Sequence, residues 1–494
     1  MLKSPSRLVL HTLLYQLMPI RNNGSNIDRN RGMFMSFPLT QVTIKARKPK
    51  NTNDSMVQIS NHLFTSLGLN KNLQLNIKLG KKAIQTAVQP VDLDPQNLML
   101  IPENILKNFC LPTQSFKFQA IYREALRTLE LGPVIGLVID FPSTKQEEPH
   151  FRSIHAFCEE LHQGITEIGG FFYVFSYEEF LNQGYYLLNG KWRSFEHPIP
   201  DVIYNRIHSR KLEQSVPFKQ FRKRLETMMI PLFNERFLSK WEVYNQIFQE
   251  KHLLPFLPKT KIYTKEHLYE LTDECETVFI KPVNGSQGRN IIKLKKEDEI
   301  HYTLQTSIAL LNDNSSYQYS LDEIHNLIKP ILHNRFYIIQ QGIELVAYDS
   351  CSMDFRVLCH KNLNNHWQVT SIVARIAAKD EFVSNIARGG KMLRPLEVLR
   401  TCLGPKNALE VLTHMKELAV ETASIISNSQ TGITGELGID IGVDQDGKPW
   451  IIEVNSKPSK NFEDGLGKIR PSAKALIQFC TLLAFDSTFV KEDQ

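Results

Sequence analysis

Asp440, Glu453 and Asn455 could together bind a metal ion. If residues 438–455 form a hairpin, the two carboxylates lie directly opposite each other and the amide lies on the same face. Like charges opposed across a ladder are destabilising, so this pair needs an explanation. Two carboxylates and an amide oxygen are the hard-oxygen ligands that suit Mg²⁺, and a cation would keep both acids ionised. The alternative is a polar face solvated at the mouth of the hairpin, and the hairpin alone leaves both open.

A lysine followed by small residues forms a second candidate site. Lys281 ends a strand-like run that begins at Thr277, and Gly285, Ser286 and Gly288 follow it. Glycines let a backbone approach a ligand closely, and a desolvated ammonium suits phosphate oxygens. The pattern predicts a phosphate-binding loop, with an ordinary surface hairpin as the alternative. A Walker-type loop is excluded by its missing motif, and a protein-kinase arrangement by the order of lysine and glycines.

The hairpin that must position the two acids is predicted from its turn and its alternation. Asp446-Gly447 stands between two β-branched runs, and such a dipeptide is a strong hairpin signal because both turn positions need positive φ. The register then pairs Gln445 with Lys448 and stacks three apolar pairs on one face: Val443 with Trp450, Ile441 with Ile452, and Ile439 with Val454.

The chain divides into four stretches. A length of 494 residues predicts several domains. Residues 1–40 are basic and predict a disordered leader, with a targeting peptide or an upstream start codon as alternatives. Residues 41–131 contain a weak internal repeat with a shift of about forty residues and predict a small β-rich domain. Residues 132–235 alternate strands and helices, which predicts a parallel, Rossmann-like α/β domain. Residues 236–494 carry both candidate sites.

Helical periodicity predicts three helices before, between and after the two candidate sites. Residues 236–251 predict an amphipathic helix with Lys240 at its start, residues 407–426 a long amphipathic helix, and residues 471–483 a closing helix. Residues 312–326 are polar and predict a loop.

The composition bears on which partners the protein binds and in which cellular compartment it lies. Lys and Arg at 58 against Asp and Glu at 52 give +6, a mild imbalance that does not indicate a nucleic-acid partner. No uninterrupted apolar stretch approaches the roughly 18 residues of a membrane helix, so no membrane partner is predicted. Seven scattered cysteines without a C-x-x-C pair favour reduced thiols in an intracellular, cytoplasmic protein.

The order of these elements resembles the ATP-grasp superfamily. The matching stretches are Phe279-Ile-Lys281-Pro-Val-Asn-Gly-Ser-Gln-Gly, Tyr337-Ile-Ile-Gln-Gln-Gly-Ile343, Ile452-Glu-Val-Asn455 and Leu238-Ser-Lys-Trp241. The resemblance implies that ATP is held by the two lysines, the glycine loop and a hinge that contains Gln341 and Gly342. It also implies Mg²⁺ at the acid pair. Many members have an acidic residue where Gln341 stands, but an amide can still accept a hydrogen bond from adenine.

Within the superfamily, a later stretch is similar to the ribosomal-protein glutamate ligases. The similar residues are Phe382-Val-Ser-Asn-Ile-Ala-Arg-Gly-Gly390, Asp354-Phe-Arg356 and Arg375. This similarity implies Asp354, Ser384 and Asn385 near ATP, and Arg375 and Arg388 near the transferred group, where they would stabilise a developing oxyanion.

The run from Gly132 to the C-terminus resembles the YheC/YheD family of endospore coat-associated proteins. The residues that carry this are Gly132-Pro-Val-Ile-Gly-Leu, Pro200-Asp-Val-Ile-Tyr-Asn-Arg206, Phe233-Asn and Lys240-Trp-Glu-Val-Tyr. The resemblance implies an α/β (α+β) chain with an ATP-grasp fold, a preceding Rossmann-like α/β domain and a small N-terminal β-rich domain. It also implies partners in the spore coat.

The expected function is an ATP- and Mg²⁺-dependent ligase for an unidentified carboxylate and amine. Two alternatives stay open: a coat-assembly protein that binds ATP without turnover, and a kinase built on the same fold.

Overall fold

The chain has a mixed α/β (α+β) fold built from one barrel and three sheets. The computed structural model describes residues 39–48, 56–69, 74–141, 148–285, 288–308, 318–332, 335–379, 389–460 and 469–486. The predicted leader lies almost wholly outside these residues. Within them, no helix is both long enough and apolar enough to cross a membrane.

A closed barrel comes first in the described chain. Its strands follow each other around the barrel in the order β1-β5-β2-β4-β3-β7-β6. They are β1 (Thr40–Arg47), β2 (Val57–Ser60), β3 (Gln74–Leu79), β4 (Lys82–Val91), β5 (Leu98–Pro102), β6 (Phe116–Arg123) and β7 (Thr128–Gly132). Short helices α1 (Asn61–Ser66) and α2 (Glu103–Asn108) follow β2 and β5. The pairing is symmetric: β1 is parallel to β5 and antiparallel to β6, and β4 is parallel to β2 and antiparallel to β3.

A six-stranded sheet follows, in the order β11-β10-β9-β8-β12-β13. Its strands are β8 (Val134–Val138), β9 (Phe171–Phe175), β10 (Gly184–Leu188), β11 (Lys191–Phe195), β12 (Val202–Asn205) and β13 (Leu232–Phe233). The helices beside it are α3 (His155–Ile168), α4 (Arg210–Glu213) and α5 (Val216–Thr227). Strands β9, β8, β12 and β13 are mutually parallel, and their continuous apolar runs are buried on both faces.

The third sheet forms the roof of the candidate site and has the order β14-β19-β15-β16-β17-β18. Its strands are β14 (Thr260–Ile262), β15 (Thr277–Pro282), β16 (Ile292–Lys296), β17 (Tyr302–Thr306), β18 (Gln318–Tyr319) and β19 (Tyr337–Gln341). The helices α6 (Lys240–Phe248), α7 (Lys265–Glu274) and α8 (Leu321–Leu332) precede or cover it.

Helix α8 corrects the last part of the prediction of a loop over residues 312–326, because residues 321–326 are helical, while residues 312–317 lie outside the described residues. The helix begins at Leu321 because Ser320 and Glu323 form a capping box: the backbone N–H of Ser320 donates to Glu323 over 2.8 Å, and the N–H of Glu323 faces the Ser320 hydroxyl. Ile324 and Ile328 are fully buried on its inner face. Of the polar residues in this stretch, Asp322, Glu323 and Asn326 are exposed on the outer side of the helix.

The fourth sheet forms the floor and has the order β23-β22-β21-β24-β25, with β20 paired to β21. Its strands are β20 (Ala347–Tyr348), β21 (Cys351–Lys361), β22 (Trp367–Ile376), β23 (Lys391–Leu393), β24 (Glu436–Val443) and β25 (Pro449–Asn455). The helices are α9 (Pro395–Asn428) and α10 (Pro471–Phe485). Helix α9 is broken at Gly404, whose φ of +79° is non-helical and suits glycine, and the segment after this break contains the predicted helix over residues 407–426.

The last helix belongs to the core of the second sheet. Leu476, Ile477 and Phe479 of α10 are buried in one apolar cluster with Ile135 and Phe233 of β8 and β13. Each such side chain contributes about 1.5–3 kcal/mol when fully buried. The C-terminus of the chain therefore packs against strands formed more than 200 residues earlier.

A buried acid also joins the second sheet to the floor. The side chain of Glu436 on β24 is fully buried, and its carboxylate accepts from the Tyr204 hydroxyl on β12 over 2.5 Å. His360 Nε2 on β21 lies 2.9 Å from the other oxygen. Such a buried network fixes one arrangement of its strands because each polar group depends on its partner.

Candidate functional site

A cavity of about 820 Å³ lies between the roof and the floor. This volume falls in the range of roughly 300–1,000 Å³ that is usual for small-molecule sites. Many of the residues proposed from the sequence line it together: Lys240, Lys281, Gly285, Gly288, Gln341, Gly342, Asp354, Arg375, Asp440, Glu453 and Asn455. Ser286, Ser384, Asn385 and Arg388 lie outside the described residues, so their roles stay predictions.

The predicted opposition of two acids in the floor is confirmed. Asp440 on β24 pairs with Glu453 on β25, and Ile439 pairs with Val454. The Asn455 amide lies 3.4 Å from Asp440 Oδ2. The two carboxylates and the amide therefore share one face of the sheet.

The predicted turn of this hairpin is wrong by one residue. Val443 pairs with Pro449, not Trp450, and Ile441 pairs with Ile451, not Ile452. The loop is longer because the Asp444 side chain accepts from the backbone N–H groups of Asp446, over 3.1 Å, and Lys448, over 2.8 Å.

A bulge between Asp440 and Ile441 absorbs the extra residue. The acids beyond the bulge consequently keep the predicted register, although the turn that suggested it is different.

Basic side chains offset the repulsion between the acids in this structure. Arg356 donates to both oxygens of Asp440, with its second contact at 3.0 Å, and Arg375 donates to Asp440 over 3.0 Å. Lys240, at the start of α6, lies 2.6 Å from Glu453. Burial alone raises the pKa of Asp440, but the two guanidinium groups hold that pKa below its ordinary value.

The acids and the amide also fit a Mg²⁺ ion. Mg²⁺ in nucleotide sites is usually held by one or two carboxylates together with substrate phosphates and water, so two acids and an amide suffice as protein ligands. Among the described residues, no group of three or more His, Cys, Asp or Glu side chains is arranged for a metal ion. The candidate metal site therefore rests on Asp440, Glu453 and Asn455 alone.

Asp354 and Arg375 form a bidentate ion pair beside the acids. Arg375 donates from Nε over 2.6 Å and from its terminal nitrogen over 2.5 Å. Burial lowers the pKa of Arg375, but Asp440 and Asp354 outweigh it and raise the pKa above its ordinary value. The guanidinium stays charged and fixed in direction.

Arg356 is a site residue to which the sequence motif gave no role. It stands two positions after Asp354 in β21, so it shares that residue's face, and it lies directly opposite Asp440. Gly438 makes room for it, because a Cβ at that position would lie 3.3 Å from the Arg356 side chain and 2.7 Å from Pro458. The alternation within β21 was the signal that could have found it.

Lys281 is a buried ammonium that contacts no carboxylate among the described residues. Its Nζ donates to the amide oxygen of Gln340 over 2.7 Å. Burial and, to a lesser extent, Lys240 lower the pKa of Lys281 to about 8. Glu453, Asp354 and Asp440 raise this pKa by less than burial lowers it, so an arriving anion would further stabilise the charged form.

Gln340, which the sequence analysis also missed, is held by a directed chain of hydrogen bonds. The Thr260 hydroxyl lies 2.9 Å from the carbonyl of Pro258, which can only accept, so the hydroxyl donates there. Its lone pair then accepts from Gln340 Nε2 over 3.0 Å. The amide oxygen of Gln340 must therefore face Lys281.

Gln341, the predicted hinge residue, points differently. Its amide oxygen accepts from the backbone N–H of Lys259 over 3.2 Å, and its own N–H donates to the Lys259 carbonyl over 2.8 Å. Gln341 lines the cavity, and its role in adenine recognition stays a prediction.

A roof and a floor of antiparallel strands, with lysines from the roof side and opposed acids from the floor, define an ATP-grasp protein. Residues 229–483, just over half of the chain, match the family model described as YheC/D like ATP-grasp. The chain belongs to this family.

Two curated relatives come from Bacillus subtilis (strain 168). Endospore coat-associated protein YheD is 28% identical over 410 residues, which cover 81% of this chain and 88% of the relative. Endospore coat-associated protein YheC is 23% identical over 313 residues, which cover 63% of this chain and 84% of the relative. Among solved structures, the VanG D-Ala:D-Ser ligase from Enterococcus faecalis is similar at a TM-score of 0.42 and 12% identity, over 71% of this chain and 98% of that chain.

Proposed function

We propose that this protein is an ATP- and Mg²⁺-dependent ligase that joins a carboxylate to an amine through an acyl phosphate. One observation carries the proposal: two lysines, two opposed acids and two arginines line a single cavity between two sheets. A nucleotide-binding protein without chemistry needs the lysines but has no use for buried arginines held beside the acids.

In the first step the substrate carboxylate attacks the γ-phosphorus of ATP. A new P–O bond forms, the bond to the β-phosphate oxygen breaks, and ADP leaves. Lys240 and Lys281 hold the phosphates, and Asp440, Glu453 and Asn455 would hold Mg²⁺. When bound, this ion supplies positive charge that offsets the charge on the phosphate oxygens.

In the second step the amine attacks the carbonyl carbon of the acyl phosphate. The C–N bond forms, phosphate leaves, and the proton lost by the amine leaves with it as hydrogen phosphate. Arg375, fixed by Asp354 and Asp440, provides charge for the oxyanion that develops at the carbonyl oxygen. Arg388 is proposed to assist it.

The names of the relatives support association with the endospore coat, and coat proteins are proposed as partners on that basis.

The test is an acceptor screen with the purified full chain, ATP and Mg²⁺. Pooled carboxylates and pooled amines are supplied separately and together, and ADP and phosphate are measured. A ligase releases both products only when both pools are present. A stable phosphorylated product supports a kinase instead, and ATP binding without any product supports a coat-assembly role.

A further inference from the structure

Three basic side chains line the roof of the cavity. They are Arg289, Lys293 and Lys295, and we call them the basic strip. In the described part of the chain, none of the three forms an ion pair or hydrogen bond through its side chain. The candidate acids do not pair with these three cations: Glu453 pairs with Lys240, and Asp440 is held by two arginines.

The basic strip lies away from the hinge. Lys293 pairs with Phe279, and Lys295 pairs with Thr277, so both project from β16 on the face of the roof that meets the cavity. Strand β16 is on the opposite side of β15 from β19, and neighbouring strands are about 4.8 Å apart. A nucleotide held under β15 and β19 leaves the space under β16 for another molecule.

Three acids, Glu274, Glu276 and Glu344, line the same cavity, but among the described residues none of them forms an ion pair with the strip. Burial, together with the neighbouring Lys295, lowers the pKa of Lys293. Glu274 pairs with Lys259 at 2.6 Å instead. A half-buried ammonium beside a second cation is costly, and an incoming anion offsets that cost.

The spacing of the strip indicates the shape of its ligand. Lys293 and Lys295 are two residues apart on a strand, so their side chains emerge about 6.6 Å apart. Alternate side chains of an extended peptide have the same repeat. Two carboxylates at alternate positions of such a peptide can meet the two ammonium groups at once.

We propose that the basic strip binds an extended acidic peptide segment of the second substrate, beside the nucleotide. This rests on the proposed function, because the strip opens into the cavity where ATP and the acyl group would meet. The acidic segment itself does not react; it selects substrates that carry carboxylates at alternate positions.

The experiment measures fluorescence anisotropy of a labelled Glu-Ala-Glu-Ala-Glu peptide with the full chain, Mg²⁺ and a saturating non-hydrolysable ATP analogue. The double variant Lys293→Ala/Lys295→Ala should bind the peptide at least about tenfold more weakly, since it loses two charge pairs at a partly desolvated site. Lys296→Ala is the matched control: this lysine ends the same strand but does not line the cavity, and its removal should change affinity less than about twofold.

A peptide with Gln in place of Glu should bind about tenfold more weakly to the unaltered chain. Equal binding of the Glu and Gln peptides, or an equal loss in both lysine variants, overturns the proposal. Competition by inorganic phosphate at the peptide's own concentration also overturns it, because the site would then take a small anion. Binding of the ATP analogue alone is measured for the unaltered chain and for every variant. Failure of the unaltered chain to bind the analogue contradicts the proposed function. Its loss in the Lys293→Ala/Lys295→Ala variant overturns the proposal for the strip, whereas its retention with lost peptide binding supports it.

Discussion

Arg356 and Asp440 lie directly opposite each other on neighbouring strands of the floor, and the arginine donates to both carboxylate oxygens. Both side chains are at least nine-tenths buried. Asp440 also accepts from Arg375, which is itself paired with Asp354. The candidate metal ligand is therefore held by two arginines before any cation arrives, and its position is set by the sheet.

Removing the first of these arginines should cost stability. Arg356→Gln leaves Asp440 with only one guanidinium partner. Breaking a buried ion pair typically costs about 3–5 kcal/mol. Because Arg375 remains, we expect about 2–3 kcal/mol in the free energy of unfolding, measured with urea. Arg394→Gln is the control, since its exposed pair with Glu397 contributes less than about 1 kcal/mol. Equal losses in the two variants would contradict the structure of the floor.

Nucleotide binding should take up protons at alkaline pH. The pKa of Lys281 is about 8 in the free protein, and an adjacent phosphate raises it towards its ordinary value. Near pH 6 the lysine is already protonated and uptake is nil; at pH 8 about half a proton enters per nucleotide, and more at pH 9. Calorimetry with an ATP analogue in two buffers of different ionisation enthalpy measures this. Lys281→Met should abolish the uptake, and its persistence in that variant would assign the proton to another group.

The hydrogen-bond chain behind Lys281 should affect ATP affinity from a distance. Thr260→Val keeps the shape but removes the hydroxyl, so the Gln340 amide can rotate and offer its NH₂ group to Lys281. We expect the KM for ATP to rise about threefold to tenfold with kcat nearly unchanged, because one oriented hydrogen bond is worth about 1 kcal/mol. Thr303→Val, on strand β17 of the same sheet, is the control and should leave KM unchanged. A fall in kcat alone would show that Gln340 does not act through nucleotide binding.

The effect of Mg²⁺ on nucleotide binding should require both acids of the pair. Glu453→Gln removes one charged ligand, so the affinity for an ATP analogue should fall at least about tenfold in the presence of Mg²⁺ and change little after chelation with EDTA. Calorimetry with and without the metal gives both values. Asp446→Asn, at the exposed tip of the hairpin, should behave like the unaltered protein. An unchanged Mg²⁺ effect in Glu453→Gln would falsify the metal assignment.

The sequence predicted the acid pair well because alternation along a strand is a short-range property. Asp440 lies opposite Glu453 as predicted, although the turn is different, because the bulge restores the predicted register. The family resemblance likewise identified the fold and the roof lysine.

Two features of the site depend on contacts that no local pattern encodes. Gln340, not Gln341, reaches Lys281 because β19 pairs with β15 in one register across about sixty residues of chain. Arg356 meets Asp440 because β21 and β24 are neighbours in the floor, and a helix of 34 residues separates β23 from β24. Sequence alternation can place a residue on a face, but strand order decides what it faces.

Because helix α10 is made last, the second sheet is synthesised well before the helix that covers one of its faces. The second sheet is complete once β13 has left the ribosome, yet its apolar face stays open until residues 471–485 arrive. Chains grow at about 5–20 residues per second, so more than 200 further residues leave this face uncovered for roughly 10–50 seconds. A nascent chain stalled before Pro471 should therefore present that face to chaperones, whereas a released chain should not.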